Sequence, residues 1–128
     1  SMAGRVAEIV VLDQFSRNIW RDTPKAFQQD GIALVLAQEV ITCPSFRSLP
    51  TDYKKFALMP FMHSESRLIH EQALELFTFH TDKSTLDYEI KHKYIIDRFG
   101  RYPHRNAILQ RTSTQDELIF ISQPNSSF

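Results

Sequence analysis

Along almost the whole chain, apolar residues return every three or four positions and nowhere alternate over the length of a strand. A period near 3.6 belongs to helices that bury one face, and a period of two to half-buried strands. With only three glycines in 128 residues, the turn chemistry of tight β-hairpins is scarce as well. The spacing therefore predicts an all-α chain without a sheet, an antiparallel bundle or hairpin array of about six helices. No low-complexity segment or linker divides it, so residues 1–128 read as a single domain, long enough to bury a core.

The first helix is predicted over about Gly4–Asn18, with Val6, Ile9, Val10 and Leu12 apolar. Thr23 reads as the cap of a second helix, with Pro24 in the first helical position and an end near Ile41. Inside it, "GIALVLA" is apolar all round, which predicts a central helix surrounded by others. Thr51 opens a third helix that ends or kinks at Pro60. Ser64 reads as the cap of a fourth, in which Ile69, Ala73, Leu76 and Phe77 form one stripe. Ser84 opens a fifth, with Tyr88, His92, Ile95 and Phe99 on one side and Gly100 as a helix-ending glycine. Ser113 and Asp116 resemble a capping box for a last helix holding Leu118, Ile119 and Ile121.

Lys and Arg together number 15 and so do Asp and Glu, so no global field draws the chain to nucleic acid or an anionic membrane. An anion site has to be local. The lone Cys43 excludes an internal disulfide framework and a thiolate zinc cluster, and fits a reducing, cytoplasmic setting. No apolar run is long enough to span a bilayer as a helix.

Three polar clusters sit beside expected helix ends. In "LDQFSRN", Asp13 and Arg17 are four apart, as are Gln14 and Asn18, which suits two intrahelical pairs. In "MHSE", His63, Ser64 and Glu65 stand at a helix start, where free N–H groups either bind an anion or are capped. "RFGRYPHRN" carries Arg98, Arg101, His104, Arg105 and Asn106; guanidinium forks there can clamp a carboxylate or phosphate, or tie a loop to exposed carbonyls. No metal or cofactor is expected. Glu89 and His92 form only one half of a di-iron motif, and His63 and His70 lack a third ligand. The chain has no HExxH, no phosphate-binding glycine loop and no serine elbow.

Taken together, "VLDQFSRNIWRDTPKAF", "MPFMHSE" (with Met59 where the pattern has Leu), "RFGRYPHRN", "TSTQDE" and the closing "PNSSF" resemble the bacterial domain of unknown function 924 family, in order and at similar spacing from about Gly4 to Phe128. That resemblance implies an all-helical fold similar to tetratricopeptide repeats and brings no established activity. It puts Asp13, Gln14, Arg17 and Asn18 on one family motif, His63, Ser64 and Glu65 on a second, and Phe99 to Arg101 with Pro103 to Asn106 on a third. It also implies that the N-terminal third of a typical member is missing. Helix one is then expected to show Val6, Ile9 or Val10 to a protein partner or a second copy of the chain.

Two readings of function remain. In one, Asp13, Gln14, Arg17, Asn18, His63, Glu65, Arg101, His104, Arg105 and Asn106 converge on a pocket for a small anionic or polar ligand. In the other they form a buried network holding the helices in register, and a tetratricopeptide-like surface binds protein. A hydrolase pairing His104 with Asp13 or Glu65 ranks below both, because no nucleophile stands out.

Overall fold

The computed structural model describes residues 1–128, and every regular element in it is helical. The chain starts in α1 (Met2–Val10), whose first turn is capped by the Ser1 hydroxyl accepting from the Gly4 N–H at 3.1 Å. The rod continues through a single π turn, Val11–Phe15, into α2 (Ser16–Ile19). Val6, Ile9 and Asp13 lie three and four apart on its inner side and are buried. The expectation that Val6, Ile9 or Val10 would lie uncovered is therefore corrected. Val6 and Ile9 are core residues and Val10 is half-buried, while Val11, Phe15 and Ile19 form the outward apolar stripe.

Pro24 opens a 3₁₀ turn, Pro24–Phe27, and α3 begins later than predicted, at Asp30, and runs to Thr42. Thr23 does not cap it; its hydroxyl donates back to the Trp20 carbonyl. Nor is α3 surrounded. Ala33, Ala37 and Val40 face the core, but Ile32 and Val35 are more than half exposed. Their apolarity marked a helix with one uncovered face, not a central one.

After a second 3₁₀ turn, Pro44–Ser48, three helices follow: α4 (Thr51–His63), α5 (Arg67–His80) and α6 (Lys83–Phe99). Loops of two or three residues join them, so consecutive helices pack antiparallel. Pro60 does not end α4, which runs on for three more residues to His63. The caps fall one or two positions from the predicted ones. Ser66 caps α5, Asp82 caps α6 and accepts from the Thr85 N–H at 2.8 Å, and Ser64 accepts from the Ser66 N–H in the preceding turn. Of the predicted stripe on α6, His92 and Ile95 are buried and Tyr88 points outward; Thr85 and Glu89 take the inner positions. A third 3₁₀ turn, Pro103–Arg105, leads to α7 (Gln115–Ile121), whose capping box is Thr114 with Glu117 and not Ser113 with Asp116. In α7, Phe120 and Glu117 face inward, and Leu118, Ile119 and Ile121 outward.

The main core gathers Val6 and Ile9 with Val40, Phe46, Leu58, Phe61, Met62 and Phe77, and Ala37, Ala57 and Ala73 let the helices approach closely. A smaller cluster of Ile95, Ile96, Tyr102 and Phe120 holds the C-terminal part. Between them runs a buried polar strut. His70 Nδ1 meets Glu89 Oε2 at 2.8 Å, its Nε2 meets the Ser64 carbonyl at 2.7 Å, and the Tyr102 hydroxyl donates to the Met62 carbonyl at 2.5 Å. This strut fixes the α4–α5 corner, and with it His63 and Glu65, against α6 and Tyr102.

Gly100 ends α6 in the left-handed region (φ 73°), its N–H donating to the Ile96 carbonyl at 2.8 Å. A side chain there is strained, and an added Cβ would also stand 3.3 Å from Arg67 Nη2. Gly100→Ala should cost about 1–2 kcal/mol, read as a lower urea midpoint with an unchanged m-value.

Candidate functional site

The three polar clusters meet in space. Asp13 lies in the middle of the π turn, a helical irregularity often found at functional sites. Its carboxylate is 1% exposed. Oδ1 accepts from Arg17 Nη1 at 2.9 Å and faces His63 Nδ1 at 2.7 Å, and Oδ2 accepts from Gln14 Nε2 at 2.6 Å. The Asp13–Arg17 pair is thus the predicted one, whereas Gln14 turns to Asp13 and Asn18 stays exposed. Burial pushes the Asp13 pKa up, but His63, Arg17 and Gln14 outweigh it and hold the group below its ordinary 3.8.

Arg17 also forks onto Asp30 at the start of α3, with Nη1 and Nη2 at 2.8 and 2.9 Å from its two oxygens. Glu65 is tied down just as firmly. It accepts from the Tyr102 N–H at 2.6 Å and from both terminal nitrogens of Arg111 at 2.9 and 3.0 Å. These bonds outweigh the upward push of burial and keep its pKa low.

"RFGRYPHRN" divides into two jobs. Arg98 lies over the rings of Phe99 and Phe120. Arg101 gives Nε and Nη2 to Glu117 at 2.9 and 2.8 Å, and Nη2 also to the Thr112 carbonyl. Asn106 donates to Glu117 and Ser113 and accepts from Arg111. Arg101 and Asn106 line neither cleft described below; they clasp α7 to the end of α6.

Arg105 differs. It is 7% exposed, with its guanidinium carbon 4.4 Å from the centre of the Phe27 ring and 4.7 Å from that of Tyr102. Nη2 donates to the His63 carbonyl at 3.0 Å. Nη1 stands 3.8 Å from Asp30 and 3.9 Å from Glu65, beyond hydrogen-bond reach, and Nε is buried without a partner. Burial lowers its pKa, with the charge of Arg17 adding, but a guanidinium remains a cation at working pH.

Two open clefts of about 470 and 540 Å³ share Phe27, His63 and Arg105. Asp30, Leu34 and Glu65 help wall the first, and Gln14, Arg17, Asn18, Arg21, His92, Tyr102, His104 and Phe128 the second. The Phe128 ring stacks on His92 at 3.8 Å between centroids. Burial pushes the pKa of His92 down to about 3 and that of His104 to about 4. His63 also falls below 6.5, burial outweighing the help of Asp13. Near neutral pH the three imidazoles are uncharged, so the positive charge in these walls belongs to arginines. No three His, Cys, Asp or Glu side chains gather as a metal site.

Sequence reasoning missed Asp30, Arg111 and Glu117, the partners that decide which arginines are occupied, as well as the walls Phe27 and Phe128. Asp30 was recognisable only as a first-turn acid once the true start of α3 was known. Arg111 follows an unremarkable "AILQ" and gave no signal.

Arg101→Ala removes the fork that holds Glu117 and should lower the urea midpoint of unfolding, with Arg101→Lys recovering only part of the loss because an ammonium cannot make both bonds. The acid limb of stability should have two stages. His92 and His104 bind protons in the unfolded chain near 6.5 but resist them in the folded one, so stability falls as pH drops from 6.5 toward about 4 and about 3. Glu117, held at about 2 chiefly by the Arg101 hydrogen bond, adds a loss that runs from 4.5 down to about 2. Unfolding free energies of wild type and His92→Phe across pH 4–7 check the first stage, which the variant should make shallower, leaving the part due to His104.

A comparison with curated proteins gives no match. Among solved structures, a protein of unknown function from Agrobacterium tumefaciens superposes with a TM-score of 0.89 at 31% identity, over 94% of this chain and 68% of that one. The model of a bacterial protein family of unknown function, DUF924, matches residues 1–125, and the chain belongs to that family.

Proposed function

We propose that the clefts around Arg105 bind a small organic anion. The observation that carries this reading is the state of Arg105 itself: a guanidinium 7% exposed whose Nη1 hydrogen-bonds no carboxylate, the nearest oxygens standing at 3.8 and 3.9 Å, and whose Nε has no partner. Buried charges are normally paired. Here the nearby acids are spent elsewhere, Asp30 on Arg17 and Glu65 on Arg111. A carboxylate or phosphate entering the cleft meets Nη1, the guanidinium nitrogen that is neither sealed nor hydrogen-bonded, and Arg21, exposed in the wall of the larger cleft, adds a second cation. Phe128, half exposed in the same wall, offers apolar surface for the rest of the ligand. The lone cysteine keeps a reducing, cytoplasmic setting as the expected one.

A second reading has an observation of its own. Val11, Phe15 and Ile19 lie along the outside of the first rod, and Ile32 and Val35 on the outside of α3, all at least half exposed. Such a surface suits a protein partner or a second copy, as in a tetratricopeptide-like scaffold, with the polar motifs purely structural.

Thermal shift with phosphate, sulfate and adipate separates the two. On the ligand reading at least one anion stabilises the wild type, by about 2.7 kcal/mol at a hundredfold excess over Kd, and Arg105→Lys removes the effect because an ammonium lacks the planar fork. Arg21→Ala, at an exposed position, should weaken it without loss of folding. If no anion stabilises the wild type, the ligand reading is wrong.

A further inference from the structure

His63 is built as a base. Its Nδ1 faces Asp13 Oδ1 at 2.7 Å, which assigns the ring proton to Nδ1 and leaves the lone pair on Nε2. Nε2 makes no hydrogen bond to the protein, it is not a sealed atom, and the side chain lines both clefts. The orienting carboxylate is itself immobilised: Arg17 and Gln14 hold its two oxygens, and its burial keeps water from competing. A base fixed by a buried carboxylate and open to a cleft is the arrangement that proton abstraction needs. Arg105, whose Nη2 donates to the carbonyl of the same His63, puts a cation beside it.

No hydroxyl or thiol is hydrogen-bonded to His63, and the Ser127 hydroxyl in the wall of the larger cleft makes no bond to it. Ser64 is engaged with the Ser66 N–H and makes no bond to His63, and the Cys43 thiol donates to the Glu39 carbonyl at the far end of α3. Water is therefore the species the base would act on. Attack of water on an ester needs a base, a group that holds the substrate and a donor or cation for the developing oxyanion; His63 is placed for the first, and Arg105 and the exposed Arg21 are the cations at the same cleft.

We propose that Asp13 and His63 form a general-base dyad that hydrolyses an ester whose acyl chain carries a carboxylate held by Arg105. This rests on the anion-binding reading. His63 Nε2 takes a proton from water as the water oxygen bonds to the acyl carbon, and the carbonyl electron pair moves to oxygen. When that pair returns, the bond to the leaving alcohol breaks. The alcohol oxygen takes the proton back from Nε2, giving one acid and one alcohol from one ester and one water. His63 is the catalytic residue and Asp13 a positioning residue.

The test compares the 4-nitrophenyl half-ester of adipate with 4-nitrophenyl hexanoate, which has the same chain length without the carboxylate, alongside thermal shift with adipate. The half-ester should be turned over above the buffer rate and at least tenfold faster than the hexanoate. His63→Gln should lower the rate about 100-fold while keeping the adipate shift, which shows that the variant is folded and binding. Asp13→Asn should lower it less and displace the acid limb of the pH–rate profile, a readout that a merely structural role leaves in place. Adipate binding without turnover, or turnover undiminished in His63→Gln, overturns the dyad and leaves the binding reading standing. Turnover lost in His63→Gln but without preference for the half-ester supports the dyad and overturns the role of Arg105. Absence of both adipate binding and turnover overturns the two together.

Discussion

A carboxylate that is 1% exposed has to be paired, and the burial of Asp13 organises everything at this end of the molecule. Its two oxygens call for donors, and those donors come from three directions: Arg17 one turn along the same rod, Gln14 beside it, and His63 fifty residues away at the end of α4. Arg17 passes the requirement on to Asp30 at the head of α3, and the carbonyl of His63 receives Arg105. Three arginines (17, 105 and 111) stand against three carboxylates (13, 30 and 65), so the network is neutral as a whole. The distribution is uneven. Arg17 and Arg111 have forked partners and Arg105 has none within hydrogen-bond distance. A neutral network with one cation left short of partners differs from a closed knot in what it offers to an entering anion.

The helical class and the stripe on α5 were legible because they depend on spacing alone, which every turn of helix repeats. Gly100 was legible for a related reason: a left-handed helix end strongly favours glycine, so the residue names the conformation. Other boundaries slipped. Ser64, Ser84 and Ser113 are good capping residues, but so are Ser66, Asp82 and Thr114 within two positions, and packing chose between them. The misreading of α3 has a different cause. An apolar face carries no mark of whether it is covered by this chain, and Ile32 and Val35 are not.

At the site, the sequence showed which segments are polar but could not rank their arginines. Arg101 and Arg105 are four residues apart behind the same glycine, with equal hydrogen-bonding capacity. They part company because the chain turns through Pro103–Arg105 between them. One fork is delivered to Glu117 of α7 and the other into the gap between Phe27 and Tyr102. Each outcome is set by residues outside the motif. The resemblance had already grouped Asp13 with His63 and Arg105 as matching positions, but a shared pattern says nothing about distance, and the 2.7 Å contact between Asp13 and His63 belongs to the fold.

The buried strut gives the site its rigidity, and it also accounts for why His63 and His70, seven residues apart, play different parts. His70 uses both ring nitrogens, one on Glu89 and one on the Ser64 carbonyl, and is wholly buried. Neither nitrogen faces solvent, and the ring serves to fix the α4–α5 corner. His63 sits at the edge of that corner, uses one nitrogen on Asp13 and turns the other outward. Burial lowers its pKa below 6.5, so near neutral pH the outward nitrogen carries a lone pair and not a proton. Beside it lies a cation without a carboxylate in hydrogen-bond reach. A purely structural network gains nothing from a free base next to an under-paired guanidinium, since each would be more stable if capped. That His63 Nε2 and Arg105 Nη1 both stay without a hydrogen-bond partner at the same clefts is the strongest physical reason to propose a site at this end of the fold.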